Sequence, residues 1–300
     1  MDEMHKNKRE YVLGVDVGGT KILLLLADKD GQTYFKKKVE SSGNLNEVCN
    51  IIDDFIEESK IDVSRIEALC MGVPGEINGD GIVRLSIQLD WKDVNVTEYV
   101  QSRYRFPVYV KNDVNLSALG ERWLGNGENT DHMIYISIGT GIGGAVIANG
   151  HLVEGYNHSA GEIGYMLDKS DLSKGLHNEE TDFGSLERKI SGKSLTDKAK
   201  ELGLTSEMLF QLYGKHNEDV NKTIDNFILE LSVVIANMIS ILNPEYVIIG
   251  GGVSVSMDKI IPIIRDKVSQ ISIFDTQIKR SKLGGETGAF GCVYYAFYEA

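Results

Sequence analysis

Cysteine and positive charge are both scarce in this chain. Only Cys49, Cys70 and Cys292 occur among 300 residues, with no CxxC or other metal-ligand spacing, which excludes a disulfide framework or a cysteine-rich zinc site and fits a reducing, cytoplasmic setting. The 31 Lys and Arg are outnumbered by 44 Asp and Glu, for a formal net charge of -13. Affinity for a phosphate backbone comes mainly from Lys and Arg that release counterions, so neither nucleic acid nor an anionic membrane is an expected partner. Any anionic ligand must be held locally. There is no basic region ahead of an apolar stretch in Met1 to Glu10, and the run Ile22 to Ala27 is far shorter than the roughly 20 residues of a membrane span. The expectation is a soluble chain of one large or two moderate domains.

What is present begins at Tyr11, where two apolar runs of β type flank Gly18-Gly19 and read as a hairpin ending near Asp28. A third extended run spans Gln32 to Val39, and Leu45, Val48, Ile51, Ile52, Phe55 and Ile56 recur at helical spacing. A buried strand at Ala68 to Val73 leads to the turn Pro74-Gly75 and a polar loop with Asn78-Gly79 and Asp80-Gly81. A helix follows at Val96 to Tyr104, and the short strand Val108 to Lys111 delivers the chain to Asn112-Asp113, near which another helix begins. The opening pattern then returns: strand Met133 to Ile138, glycine turn Gly139-Thr-Gly-Ile-Gly-Gly144, strand Ala145 to Ala148. Two such copies predict two related α/β domains. The remainder reads as mostly helical, with a long amphipathic stretch from Val220 to Leu242, a strand at Tyr246 to Ile249, then Gly250-Gly-Gly252, a helix at Lys259 to Val268, and a last helix after Gly284-Gly285.

Each glycine turn runs into a strand, whereas the Rossmann and P-loop phosphate sites need a helix there. Two readings remain. The turns can be plain hairpin turns, with Gly supplying positive φ. Alternatively they clamp phosphates, with backbone N–H groups and the Thr20 and Thr140 hydroxyls approaching phosphoryl oxygens. Asp16, just before the first glycines, suits Mg²⁺ held through water, or else caps the hairpin.

The segments Asp16-Val-Gly-Gly-Thr-Lys21, Asn112-Asp113, Gly139-Thr-Gly-Ile-Gly-Gly144, His158-Ser-Ala-Gly-Glu-Ile-Gly164 and Gly250-Gly-Gly252 together resemble the ROK family of sugar kinases and repressors, from about Val12 to the C-terminus. The resemblance implies an α/β, two-domain actin-like ATPase (ribonuclease H-like) fold with an interdomain cleft, with domains at about 1–117 plus 286–300 and 118–285. It implies ATP and Mg²⁺ as cofactors, a sugar substrate and a homodimer. Asp113 becomes the general base, a role that suits phosphoryl transfer and is compatible with capping the following helix. ATP falls to Gly18, Gly19, Thr20, Lys21, Gly139, Thr140, Gly141 and Gly143, with Gly250, Gly251 and Gly252 lining the adenosine. Gly75, Asn112, Glu162, Tyr165 and Glu187 fall to the sugar, although Glu187 can also be read as a solvated helical glutamate. His158 is read as a hydrogen-bonded structural histidine.

Two departures from the family pattern matter. Typical members have a zinc-binding, sugar-contacting histidine where Tyr165 stands, and three cysteines in the segment that corresponds to Asp168 to Glu187, which here has none. A tetrahedral zinc needs four ligands, and His177 alone cannot supply them. No structural zinc is therefore expected, and the loop from Asp168 to Thr181 has to be held by packing. The region looks like that of zinc-free β-glucoside kinases. The expected activity is transfer of the ATP γ-phosphoryl to the 6-hydroxyl of a glucose-like hexose. The alternatives are a β-glucoside kinase, for which Tyr165 relaxes recognition at the anomeric oxygen, an N-acylhexosamine kinase, and a non-catalytic, repressor-like sugar sensor. The last needs a DNA-reading module, for which the roughly ten residues before the first strand leave no room.

Overall fold

Apolar runs on either side of Gly18-Gly19 pair as antiparallel strands β1 (Tyr11–Val17) and β2 (Lys21–Ala27), from Val12 opposite Ala27 to Val17 opposite Ile22, in a computed structural model that describes residues 9–40, 43–173, 175, 178 and 182–300. β3 (Thr33–Glu40) adds to the outer side of β2. Its exposed positions carry lysines, which discourage edge-to-edge pairing. Helix α1 (Leu45–Ser59) starts where Asn44 accepts the N–H groups of Asn46 and Glu47, and ends where Lys60 turns to φ 56°. It buries Val48, Cys49, Ile52 and Phe55 against the sheet core of Leu13, Val15, Leu24 and Leu69.

β4 (Ile66–Val73) pairs parallel with β1, so it is apolar on both faces. Three short strands follow, β5 (Glu76–Ile77), β6 (Ile82–Ser86) and β7 (Trp91–Asn95), paired as a small antiparallel sheet. This stretch carries Asn78-Gly79 and Asp80-Gly81 and reads from sequence as a polar loop. Asn78 Oδ1 accepts from Asp80 and Ile82 N–H and so closes the turn between β5 and β6. Helix α2 (Val96–Gln101) is shorter than expected. β8 (Val108–Asn112) pairs parallel with β4, giving the order β3-β2-β1-β4-β8. Helix α3 (Asp113–Leu124) then crosses the C-terminal helix (Thr287–Tyr298) at backbone contact: a Cβ on Gly120 or Gly291 would overlap the carbonyl of Thr287 or Leu116. These elements form one compact unit, Met1–Gly125, Glu154–Ser159 and Glu286–Ala300.

The second unit, Asn126–Val153 and Ala160–Gly285, repeats the plan. β9 (Met133–Ile138) and β10 (Ile142–Ala148) form the hairpin, β11 (His151–Leu152) extends it, and β12 (Tyr246–Gly250) pairs parallel with β9 as β4 does with β1. Between them lie α4 (Lys169–Ser173), α5 (Glu187–Ile190), α6 (Gly192–Glu201), α7 (Ser206–Leu212) and α8 (Glu218–Leu242); α9 (Ile261–Ile271) and β13 (Gln277–Arg280) follow. By length and composition α8 could cross a membrane, yet it is the core helix of this unit. Ile224, Phe227, Ile228, Leu231, Ile235 and Ile239 lie buried along one face. Asn243, at φ 43°, stops it ahead of Pro244.

Candidate active site

In the first unit, parallel strands β1, β4 and β8 deliver Asp16, Gly72 to Gly75 and Asn112-Asp113 to one edge of the sheet. This carboxyl-end edge is where open α/β sheets bind ligands. The register sets Asp16 beside Gly72 and Gly72 beside Lys111. A Cβ on Gly72 would lie 3.6 Å from both Asp16 Oδ1 and Asp113 Cα, so a bare glycine is what separates the two acids. Gly288, at the start of the C-terminal helix, closes the other side of Asp16, where a Cβ would come within 2.7 Å of the carboxyl carbon. Burial is the largest cause that pushes the Asp16 carboxyl up to about 7, the charge of Asp113 adding to it and Lys38 opposing it. Burial likewise raises Asp113 to about 6, partly offset by the N–H groups of Val114 and of Asp113 itself.

Asn112, not Asp113, caps α3. Its Oδ1 accepts Val114 N–H at 2.9 Å and Asn115 N–H at 3.0 Å, while Nδ2 donates to the Gly75 carbonyl at 3.0 Å. The cap consumes the acceptor of Asn112 and leaves it one amide hydrogen; Asp113, the first helical residue, shares only the Val114 N–H, at 3.0 Å on Oδ1. Gly75 sits at φ 117° with the Leu85 carbonyl against its missing side chain, a place that only glycine fills comfortably.

Positive φ does not explain the glycine turns. Neither Gly18 nor Gly19, nor Gly139, Gly141 or Gly143, is among the glycines with positive φ, which corrects the plain-turn reading of why glycine is there. At the first turn Gly18 N–H closes onto the Lys21 carbonyl at 2.9 Å, and Thr20 and Lys21 are exposed. In the second unit the carbonyls of the turn are all occupied: Gly192 N–H reaches Gly139 O at 2.8 Å, Lys193 N–H reaches Thr140 O at 3.0 Å, and Gly139 N–H reaches Gly141 O at 3.0 Å. The first two donors open helix α6. The N–H groups of Thr140 and Gly141 have no acceptor among the described residues, and a Cβ on Gly139 would meet open space. The turn thus has its three carbonyls taken and two N–H groups without an acceptor among the described residues, a balance that suits an anion. Gly143 pairs opposite Ser137 within β10.

Glu187 is not a solvated glutamate. Its Oε1 accepts Ile142 N–H at 3.0 Å and its Oε2 accepts Gly184 N–H at 3.3 Å. Burial raises its pKa, opposed by those two N–H groups. It props the strand that leaves the glycine turn, and a Cβ on Gly141 would overlap its carboxylate. Glu162 precedes the short turn Ile163–Tyr165, seated on β10 by Gly144 N–H to Gly161 O at 2.8 Å. Of the last three glycines, Gly250 packs on the Tyr135 ring and Gly251 needs φ 80° against Ile138. Only Gly252 opens onto free space.

His158 belongs to the first unit, at φ 57° over Gly79. Its buried Nδ1 lies 3.3 Å from a Glu154 carboxylate oxygen without forming a hydrogen bond, unlike the hydrogen-bonded histidine expected. His177 lies outside the described residues, among which no group of three or more His, Cys, Asp or Glu could hold a metal. Sequence reasoning missed Asn178, which joins the Tyr165 carbonyl at 2.6 Å to Ser185 N–H at 3.0 Å. It also missed Lys189, whose Nζ meets Asp168 at 2.8 Å and Asp171 at 2.9 Å. The segment after Asp168 is thus tied electrostatically, not by packing alone.

The model of the ROK family matches residues 12–297. A glucokinase of Halalkalibacterium halodurans is 28% identical, covering 94% of this chain and 93% of that one. A β-glucoside kinase of Listeria monocytogenes is 27% identical, with 96% and 98% covered. The ROK family glucokinase of Streptomyces griseus, solved with glucose and AMPPNP, aligns at TM-score 0.80 and 25% identity over 94% of this chain and 98% of that one.

Proposed function

This chain belongs to the ROK family, and from that premise we propose that it is an ATP-dependent sugar kinase that phosphorylates the 6-hydroxyl of a glucose-like hexose, with Asp113 as the base. One observation carries the reading: a half-buried carboxylate at the end of β8, raised to about 6 and only partly compensated by backbone N–H groups, beside Asp16 raised to about 7. A base of that strength is ionised at neutral pH and still basic enough to take a hydroxyl proton in the transition state. As the sugar oxygen bonds to the γ-phosphorus, its proton passes to Asp113, and the bond from that phosphorus to the β–γ bridging oxygen breaks, with ADP leaving. The first unit offers Gly75 and the remaining amide hydrogen of Asn112 to a sugar and Gly18 to Lys21 to phosphates. The second offers Glu162, Tyr165 and Glu187 to a sugar, the N–H groups of Thr140 and Gly141 to phosphates, and at Gly252 room for a nucleoside.

Asp16 fits Mg²⁺: a hard oxygen donor, costly to keep ionised beside Asp113, gains from a divalent cation. Bound there, Mg²⁺ supplies charge neutralisation for the phosphates. The AMPPNP in the Streptomyces griseus glucokinase supports ATP as the donor.

A second reading, phosphorylation of β-glucosides, is favoured by Tyr165 and by the likeness to the Listeria monocytogenes enzyme. Asn178 and Lys189 tie the chain that follows Tyr165, so mobility of that wall contributes nothing to this reading. What remains is the change from imidazole to phenol, which alters the polar partner offered to the anomeric end. Sugar-dependent ADP release is to be measured with glucose, methyl β-glucoside, cellobiose and N-acylhexosamines. Turnover of glucose sustains the main reading. A preference for cellobiose establishes the second, and silence on every sugar overturns both.

A further inference from the structure

Two acidic residues in the second unit are arranged unlike the pair in the first. Asp168 and Asp171 cap one another across the first turn of α4: Asp168 N–H donates to Asp171 Oδ2 and Asp171 N–H donates to Asp168 Oδ1, both at 2.9 Å. Lys189 Nζ then bridges both carboxylates, at 2.8 Å and 2.9 Å. The Asp171 side chain is only 1% exposed, whereas that of Asp168 is 46% exposed. Desolvation alone would raise the pKa of Asp171. The Asp168 N–H and the ammonium of Lys189 outweigh it, so the carboxyl stays below its usual value. Both contacts fall on Oδ2, Oδ1 stays buried without a hydrogen-bond partner, and Lys189 is thus the cation that offsets the charge of this carboxylate.

The position of the bridge gives it a consequence. Asp168 lies three residues after Tyr165, and Lys189 lies two residues after Glu187 on α5. The two strands of chain already touch: Leu186 N–H donates to Gly164 O at 3.1 Å, and Asn178 spans from Tyr165 O to Ser185 N–H. The lysine side chain is the one ionic tie that binds them from the far end among the described residues. Through Ser194, whose hydroxyl donates to Lys189 O at 2.9 Å, it is also joined to α6.

We propose that Lys189 is a positioning residue for sugar recognition: by clamping Asp168 and Asp171 it fixes the spacing between the segment bearing Glu162 and Tyr165 and the helix bearing Glu187. The proposal rests on the reading of those three residues as sugar contacts. The effect should fall more on sugar than on nucleotide, because the glycine turn at Gly139 to Gly141, although it also touches Glu187, is held by the N–H groups of Gly192 and Lys193 as well.

Lys189→Met is to be compared with Lys189→Arg, which can bridge both carboxylates again. Lys189→Met should raise the KM for sugar at least about tenfold and leave the KM for ATP within about twofold, and Lys189→Arg should recover most of the loss. A sugar KM within about twofold of wild type, or an ATP KM rising in step, overturns the proposal. If Lys189→Met does not fold, Asp168→Asn removes only the exposed half of the clamp and should raise the sugar KM more modestly; no change overturns it equally. If wild type itself releases no ADP with any sugar, the kinase reading has failed, and the clamp is then judged by hydrogen exchange in Lys189→Met. Faster exchange confined to residues 163–173 and 184–190 supports it, and unaltered exchange overturns it.

Discussion

Asp16 with Asp113 and Asp168 with Asp171 are two pairs of aspartates placed at the ends of secondary-structure elements, and their charges fare in opposite ways. The first pair is walled by backbone at Gly72 and Gly288, and both carboxyls are pushed up, to about 7 and about 6. The second pair exchanges N–H groups and shares the ammonium of Lys189, and both carboxyls are pulled down. Residue type and near-neighbour spacing do not distinguish a site from a strut. The degree of compensation does: a pair that no cation binds directly, in a desolvated place, stores an interaction that a proton, a metal or a reacting hydroxyl can relieve.

The largest effect expected is on the first pair. Asp113→Asn keeps the shape and removes the proton acceptor, and should cost on the order of 10²–10⁴ in kcat with sugar affinity retained. Steady-state kinetics check it, and kcat within about tenfold of wild type ends the assignment of Asp113 as base. The wild-type enzyme sharpens the point: kcat/KM should fall as pH drops below about 6, the value to which burial raises Asp113, because only the ionised carboxylate accepts the proton. A profile flat down to pH 5 would contradict the assignment.

How much of this was legible in the sequence follows from how local each feature is. The hairpins of β1–β2 and β9–β10, and the delivery of Asp113 by β8, rest on apolar periods and turn residues within a few positions. The sheet β5–β7 did not show, since strands of two to five residues among Asn-Gly and Asp-Gly turns carry no period to read. That Asn112 rather than Asp113 caps α3 depends on which of two adjacent acceptors reaches the helix N–H groups, and composition is silent on that. The glycines of the turns were legible as glycines. Their reason was not, because absence of a Cβ and positive φ leave the same letter in the sequence. The partners of Lys189 lie 18 and 21 residues away, a pairing with no periodic trace. The burial of Glu187 beneath Gly141 was invisible for the same reason.

The next prediction concerns the compensated pair. Asp171→Asn leaves Lys189 with Asp168 alone and removes a buried counter-charge, and should destabilise the protein by about 3 kcal/mol at neutral pH, the low end for breaking a buried ion pair. Denaturant unfolding measures it. Because the folded-state pKa of Asp171 lies below the usual 3.8, its contribution is present above that value and is lost as pH falls through the lowered one. The penalty of the variant should therefore be constant from pH 8 down to about 5 and shrink only in stronger acid.

The same substitution in the other pair should act with the opposite sign. In protein free of Mg²⁺ and nucleotide, an ionised Asp16 pays desolvation and repulsion from Asp113, the causes that lift its carboxyl from 3.8 to about 7. A group raised on folding contributes stability that is complete below its unfolded pKa and is lost as pH rises through the folded one. Wild type is thus at its worst above pH 7, and Asp16→Asn, which cannot ionise, should be more stable there. Linkage alone would allow up to about 4 kcal/mol, but the amide must itself be desolvated beside Gly288, and a net gain of about 1 kcal/mol is expected. The gain should vanish just below pH 7 and reverse by pH 5 as wild type takes up its proton, because linkage then returns to wild type more than the roughly 1 kcal/mol that separated the two. At pH 5 both Asp→Asn variants are therefore less stable than wild type, the loss in Asp171→Asn unchanged from pH 8 and that in Asp16→Asn newly acquired. Melting curves across that range test the contrast directly. An Asp16→Asn protein less stable than wild type at pH 8 would mean that Asp16 is compensated after all, and that the difference between the two pairs is not one of charge.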